Sequence, residues 1–210
     1  MPPHLQPKPQ GASPAHFYLW AYNILCAILW LRVFLSTITA VIVSPNVSAV
    51  FASLEPWTRW TQTLAVLEIL HAALGFTRSP VFTTFTQVFA RSVQVWAINY
   101  AFPDVTAVSP AYPAMLLAWS MADTIRYLYF AVMLGAYAIP RALKWSRYTL
   151  FVALYPVGIG SEWWLMYKAT MVTTNQPLAG LFCFFLCLYL PGSVMMYSYM
   201  LKQRRKVLAR

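Results

Sequence analysis

Long apolar runs recur along this chain at close intervals, each long enough for a helix that crosses a bilayer. Roughly 20 apolar residues in helical form reach across the hydrocarbon core. On that ruler six stretches qualify: 18–43, 59–77, 81–101, 114–138, 148–170 and 178–201. Helix and chain breakers punctuate them: Ser44-Pro45-Asn46, Ser79-Pro80, then Pro103, Pro110 and Pro113, then Pro140, then Asn175-Gln176-Pro177. These links are too short to hold a further domain. The expectation is an all-α polytopic membrane helix bundle of six transmembrane helices over 17–201. A Pro-rich polar tail, 1–16, precedes it and is expected to be disordered. A basic tail, 202–210, follows. The first apolar run exceeds a signal peptide in length and no small-residue cleavage site follows it, so it is expected to stay as a span.

Charge agrees with that class and gives an orientation. Only 10% of residues are charged and 60% are hydrophobic, whereas a soluble domain carries about 25% charged residues. A net charge of +10 invites a nucleic-acid reading, but its placement argues against one. Lys202, Arg204, Arg205, Lys206 and Arg210 follow the last run directly, and Arg141, Lys144 and Arg147 share one short connection. With Lys8 and Arg78 they fall on one side of the predicted bundle, while Glu55 and Asp104 fall on the other, where Arg59 and Lys168 lie near span ends. Basic residues beside spans mark the cytoplasmic face and meet anionic lipid heads, so both termini are expected to be cytoplasmic. Cys26, Cys183 and Cys187 lack metal-ligand spacing and read as small packing residues.

Polar groups inside the runs carry the chemistry. A charge at mid-bilayer needs a partner, a wet cavity or a function, and the candidates are Arg32, Glu68, His71, Arg91, Gln94, Asp123, Arg126 and Glu162. Arg91 and Arg126 have two open readings: neutralising Glu68 and Asp123 across helices, or meeting a ligand. The fifth run, Arg147 to Glu162, is RYTLFVALYPVGIGSE. Tyr155 and Glu162 are seven residues apart, close to two helical turns, and so share a face. Pro156, Gly158 and Gly160 lie between them and predict a loosened or kinked helix. Such a pair suits proton transfer. The plainer alternative is a packed tyrosine and a carboxyl paired with an arginine from another span.

The stretch 147–162 closely resembles the signature of very-long-chain (3R)-3-hydroxyacyl-CoA dehydratases, also called protein-tyrosine-phosphatase-like proteins. Three more stretches resemble that family in the same order: LEILHAALG at 67–75, QVFAR at 87–91 with Trp96, and WSMADTIRY at 119–127. The similarity covers nearly everything after the tail. It implies a six-span protein of the endoplasmic reticulum membrane and the third step of microsomal fatty-acid elongation, a supply line for sphingolipid biosynthesis. Its catalytic pair would be Tyr155 and Glu162. One departure is Asp123, where the family usually shows Glu. The resemblance further implies other elongase subunits as partners: a condensing enzyme, a ketoacyl-CoA reductase and an enoyl-CoA reductase.

The family's phosphatase-like name raises a rival that the residues reject. His71-Ala72, five residues, then Arg78-Ser79 mimics a phosphatase loop, but Ala72 stands where that chemistry needs a nucleophilic cysteine. Dehydration takes a proton from C2 and hydroxide from C3 and moves no hydride. No cofactor and no metal is expected, and no dinucleotide fingerprint is present. On sequence grounds Glu162 is favoured at the 3-hydroxyl and Tyr155 at C2. Arg78, Arg141, Lys144 and Arg147 would meet the CoA phosphates of the substrate at the cytoplasmic mouth, with Arg91 and Arg126 as further candidates for substrate binding. Membrane lipids are the alternative partners of the basic cluster. A non-enzymatic scaffold and a solute transporter are the competing classes, although residues 18–101 and 114–201 do not repeat one buried-polar pattern, as transporter halves often do.

Overall fold

In the computed structural model, residues 14–43 and 46–208 are described, and they form helices and no strands. Most of the expected tail (1–13), Ser44-Pro45 and residues 209–210 lie outside the described residues. The helices are α1 (Pro14–Val43), α2 (Val47–Thr63), α3 (Val66–Ala73), α4 (Val81–Val93), which runs on into a π-helical segment (Gln94–Tyr100), α5 (Pro103–Thr106), α6 (Ala111–Leu134), α7 (Arg141–Thr149), α8 (Phe151–Val172) and α9 (Gln176–Leu208).

These helices line up as six rods that alternate in direction, and paired contacts fix each reversal. Against α6, α1 places Tyr22 on Tyr127 and Trp30 on Trp119. Against the α2–α3 rod, the Tyr22 hydroxyl donates to the Leu64 carbonyl at 3.1 Å, and the Arg32 guanidinium lies 3.4 Å over the Trp57 ring. Trp96 Nε1 donates to Thr63 Oγ1 at 3.0 Å while Arg59 stacks over Tyr100, so the α4–π rod runs antiparallel to α2. The α7–α8 rod returns along α6, with Arg147 over Phe130 at one end and Glu162 on Trp119 further along. Finally α9 retraces α8, from Trp163 on the Leu186 carbonyl to Arg204 on Thr149.

Large side chains fill the centre: Trp30, Ile98, Tyr112, Met115, Leu116, Leu165, Met166 and Phe182 are almost fully buried. The outer surface is apolar as well, with Ile42, Phe82 and Leu190 each more than 70% exposed. Large outward-facing apolar patches on a soluble monomer are rare, and a lipid-facing wall needs them. Two helices, α1 and α9, are long and apolar enough to cross a membrane, which marks a membrane protein. At 1.5 Å per residue, α6 and α8 are also long enough, roughly 36 and 33 Å. Their apolar runs are diluted by Asp123 and Arg126 in α6, and by Glu162 and Lys168 in α8.

The second rod departs most from the predicted spans. Its helix starts at Val47, capped by the Asn46 side chain, which accepts from the Ser48 N–H at 3.0 Å. Ser, Glu and Pro residues over 47–58 hid this beginning, because Pro56 sits inside the helix rather than ending it. The rod then breaks at Leu64-Ala65 before α3. Pro113, by contrast, falls in the first turn of α6, where its missing N–H has no intrahelical partner to lose.

Candidate active site

Glu162 sits at the centre of the bundle, 5% exposed. It takes one hydrogen bond at each oxygen: Trp119 Nε1 of α6 donates to Oε1 at 2.7 Å, and the Tyr189 hydroxyl of α9 lies 2.9 Å from Oε2. The Arg91 guanidinium of α4 lies 4.0 Å over the Trp119 ring, which brings a positive charge to the face of the same indole. Among the described residues, Glu162 is thus not held by a salt bridge to an arginine, the plainer alternative considered from sequence. Its partners are neutral donors, with a cation over the ring of one of them.

Tyr155 lies two turns away on the same face of α8, half-buried, and within electrostatic range of Glu162. Its hydroxyl donates a long 3.5 Å hydrogen bond to the Ser193 carbonyl, and its ring stacks on Tyr197 at 5.8 Å. Pro156 has a specific consequence here. Without an N–H it leaves the Val152 carbonyl, four residues back, without its helical donor. The Tyr197 hydroxyl donates to that carbonyl at 3.3 Å. The proline therefore opens an acceptor on α8 that fastens the ring on which Tyr155 stacks, while α8 itself stays helical through Pro156.

Gly158 lets α6 come close. A Cβ there would stand 3.6 Å from the Trp119 ring and 3.7 Å from the Ala118 Cβ, an ordinary contact, so the space ends at one carbon. Gly158→Leu is expected to push Trp119 away from Glu162 and to lower turnover about tenfold or more, since a small misplacement beside the chemistry is costly. The check is turnover together with Trp fluorescence of the folded variant; an unchanged value of both would show that α6 does not depend on this close approach.

The other predicted residues divide into two groups. Arg126 forms a fork on Glu68, with contacts from 2.9 to 3.1 Å, and reaches Asp123 at 2.9 Å. Tyr127 donates to Glu68 as well, and Arg91 pairs with Asp123 at 2.6 Å. Both arginines thus spend their charge on carboxylates, one of the two arrangements considered from sequence. Arg78, Arg141, Lys144 and Arg147 instead lie toward the end of the bundle where α9 finishes, with Arg78 and Arg141 exposed. Arg147 lies over Tyr129 and Phe130. His71 is buried, 3.0 Å from the Tyr18 hydroxyl and edge-on to Tyr22. A groove of about 530 Å³ between α1 and α2, lined by Arg32, Ser36, Thr39, Ser53 and Trp57, contains neither Tyr155 nor Glu162.

Sequence reasoning did not single out Tyr189. It stands in an apolar run with no polar neighbour to mark it, and only the packing of α9 on α8 reveals its partner. Trp119 was visible within a motif, but its role as a donor to Glu162 was not.

A family profile described as "Protein tyrosine phosphatase-like protein, PTPLA" matches residues 62–210, a stretch that contains Tyr155, Glu162, Trp119 and Tyr189. The chain is 38% identical to a protein of Schizosaccharomyces pombe named "Probable very-long-chain (3R)-3-hydroxyacyl-CoA dehydratase", over 90% of this chain and 92% of the relative. It is 34% identical to the rice protein named "Very-long-chain (3R)-3-hydroxyacyl-CoA dehydratase PASTICCINO 2A", over 95% and 96%. A mouse protein named "Very-long-chain (3R)-3-hydroxyacyl-CoA dehydratase 2" is 32% identical, over 96% and 85%. No solved structure matches the chain.

Proposed function

The chain belongs to the protein tyrosine phosphatase-like (PTPLA) family, and from that membership we propose that it is a very-long-chain (3R)-3-hydroxyacyl-CoA dehydratase. The observation that carries this reading is a buried carboxyl, Glu162, two helical turns from the Tyr155 phenol, in a chain so similar to proteins named for that activity. Tyr155 and Glu162 form the reacting pair. One takes the proton from C2 while the other gives its proton to the departing 3-hydroxyl. The electron pair of the C2–H bond becomes the new π bond, and water and a trans-2-enoyl-CoA leave. Along the helix axis the two residues stand about 10 Å apart, so their side chains can converge on the C2–C3 bond from either end.

The basic end of the bundle suits the rest of the substrate. Phosphates stay out of hydrocarbon, and Arg78, Arg141, Lys144 and Arg147 offer cations where they would stop. The acyl chain then runs between helices toward Glu162. Six spans with both termini cytoplasmic accommodate the six alternating rods. The setting is the endoplasmic reticulum membrane, beside the condensing enzyme and the two reductases of the elongation cycle, at its third step. Arg91 and Arg126 act as the frame of the site, through Asp123 and Glu68, rather than as ligands of the substrate.

The direct test supplies the purified chain with a (3R)-3-hydroxyacyl-CoA and follows products by mass spectrometry. A trans-2-enoyl-CoA lighter by one water is the expected product. Unchanged substrate, from protein shown to be folded, would favour a scaffold role for the same bundle.

A further inference from the structure

The two oxygens of Glu162 face donors of different kinds. Trp119 Nε1 approaches Oε1 at 2.7 Å and the Tyr189 hydroxyl approaches Oε2 at 2.9 Å. An indole N–H donates and never accepts, so a proton on the Oε1 lone pair that faces Trp119 would break that hydrogen bond. A phenol hydroxyl both donates and accepts. Oε2 therefore keeps its hydrogen bond in either state: the phenol donates to the carboxylate and accepts from the carboxylic acid.

We propose that Tyr189 is a positioning residue for the dehydration: together with Trp119 it biases the Glu162 proton toward Oε2 and lets this buried carboxyl change protonation state without orphaning an oxygen. The proposal rests on reading Glu162 as an acid–base group. It adds a second phenol to the site, beside the Tyr155 of the reacting pair. Tyr155 spends its hydroxyl on the Ser193 carbonyl, while Tyr189 is the phenol in contact with the acid.

The surroundings leave that task to Tyr189. The groups that face Glu162 are Trp119 on α6, Arg91 on α4, Tyr155 on its own helix α8 and Tyr189 on α9. Arg91 lies over the indole ring and is paired with Asp123. Tyr155 acts only at a distance. A buried oxygen left without a partner is costly in either protonation state, so the group at Oε2 governs how readily the proton comes and goes.

Tyr189→Phe in the full-length protein keeps the ring and removes the hydroxyl. With a (3R)-3-hydroxyacyl-CoA as substrate, kcat is expected to fall about tenfold or more, since positioned acid–base groups contribute roughly 10²–10⁴-fold. KM should stay within about twofold, and the limb of the kcat–pH profile that reports Glu162 should be displaced. A merely structural role would not move that limb. If the variant does not fold, 3-fluorotyrosine at position 189 keeps the shape and acidifies the phenol, and the same limb should shift. A wild-type kcat, an unmoved limb in either protein, or a rise confined to KM overturns the proposal. Glu162→Gln separates the two levels: if it retains turnover, the acid–base reading itself is wrong, whereas an inactive Glu162→Gln beside a normal Tyr189→Phe rejects only the role given to Tyr189.

Discussion

Glu162→Gln is expected to lower turnover by two orders of magnitude or more, and Tyr155→Phe is expected to do the same independently. Both substitutions spare the packing. A glutamine carbonyl can still accept from Trp119 Nε1, and its amide can donate to the Tyr189 oxygen, so the centre of the bundle keeps its hydrogen bonds. Phenylalanine at 155 keeps the stack on Tyr197 and gives up only the long bond to the Ser193 carbonyl. What each variant loses is a transferable proton, and general acid–base groups contribute about 10²–10⁴-fold. The double variant should cost far less than the product of the two, because groups that act as a unit are not additive. The measurement is kcat with folding verified for each protein. Near-normal turnover in both single variants would exclude the pair.

Arg126→Leu is expected to be the most destabilising single change in the bundle. One guanidinium serves Glu68 through a fork and Asp123 through Nε. Its removal leaves Glu68 with the Tyr127 hydroxyl alone and Asp123 with Arg91 alone. Breaking a buried ion pair by deleting one partner costs about 3–5 kcal/mol, because the remaining charge is uncompensated; here Asp123 is buried but Glu68 is part-exposed, which places the loss at the lower end. Arg126→Lys keeps the charge but not the planar fork, so its loss should be intermediate. Thermal unfolding in detergent reads the order directly. If Arg126 met substrate instead, the outcome would be a raised KM at unchanged stability.

The parts of this fold that show in the sequence are those governed by local rules. Helix α1 and most of α9 follow from long apolar runs, and the shared face of Tyr155 and Glu162 follows from helical period, whereas the continuation of α9 through the basic residues to Leu208 does not. The extension of α2 back to Val47 does not, since Pro56 and the polar residues near it resemble a loop until packing supplies the other side. Pairing across helices is further out of reach. Sequence offers Arg91 and Arg126 as partners for Glu68 and Asp123 without saying that Arg126 takes both acids. Likewise Trp119 and Tyr189 stand 43 and 27 residues from Glu162. No periodicity links them, because their meeting is decided by how α6 and α9 lie on α8.

The π-helical segment at Gln94–Tyr100 changes what the third rod can tolerate. Each turn there carries more residues than an α-turn, and the Gln94 amide donates to the Asn99 side chain at 3.1 Å, five positions on. This polar clasp holds slack in a rod whose two ends are otherwise anchored, by Arg91 on Asp123 and by Arg59 over Tyr100. Removing one residue between them would let the segment tighten to α pitch while both anchors stay seated. The same deletion in α6 would rotate Trp119 or Arg126 out of register.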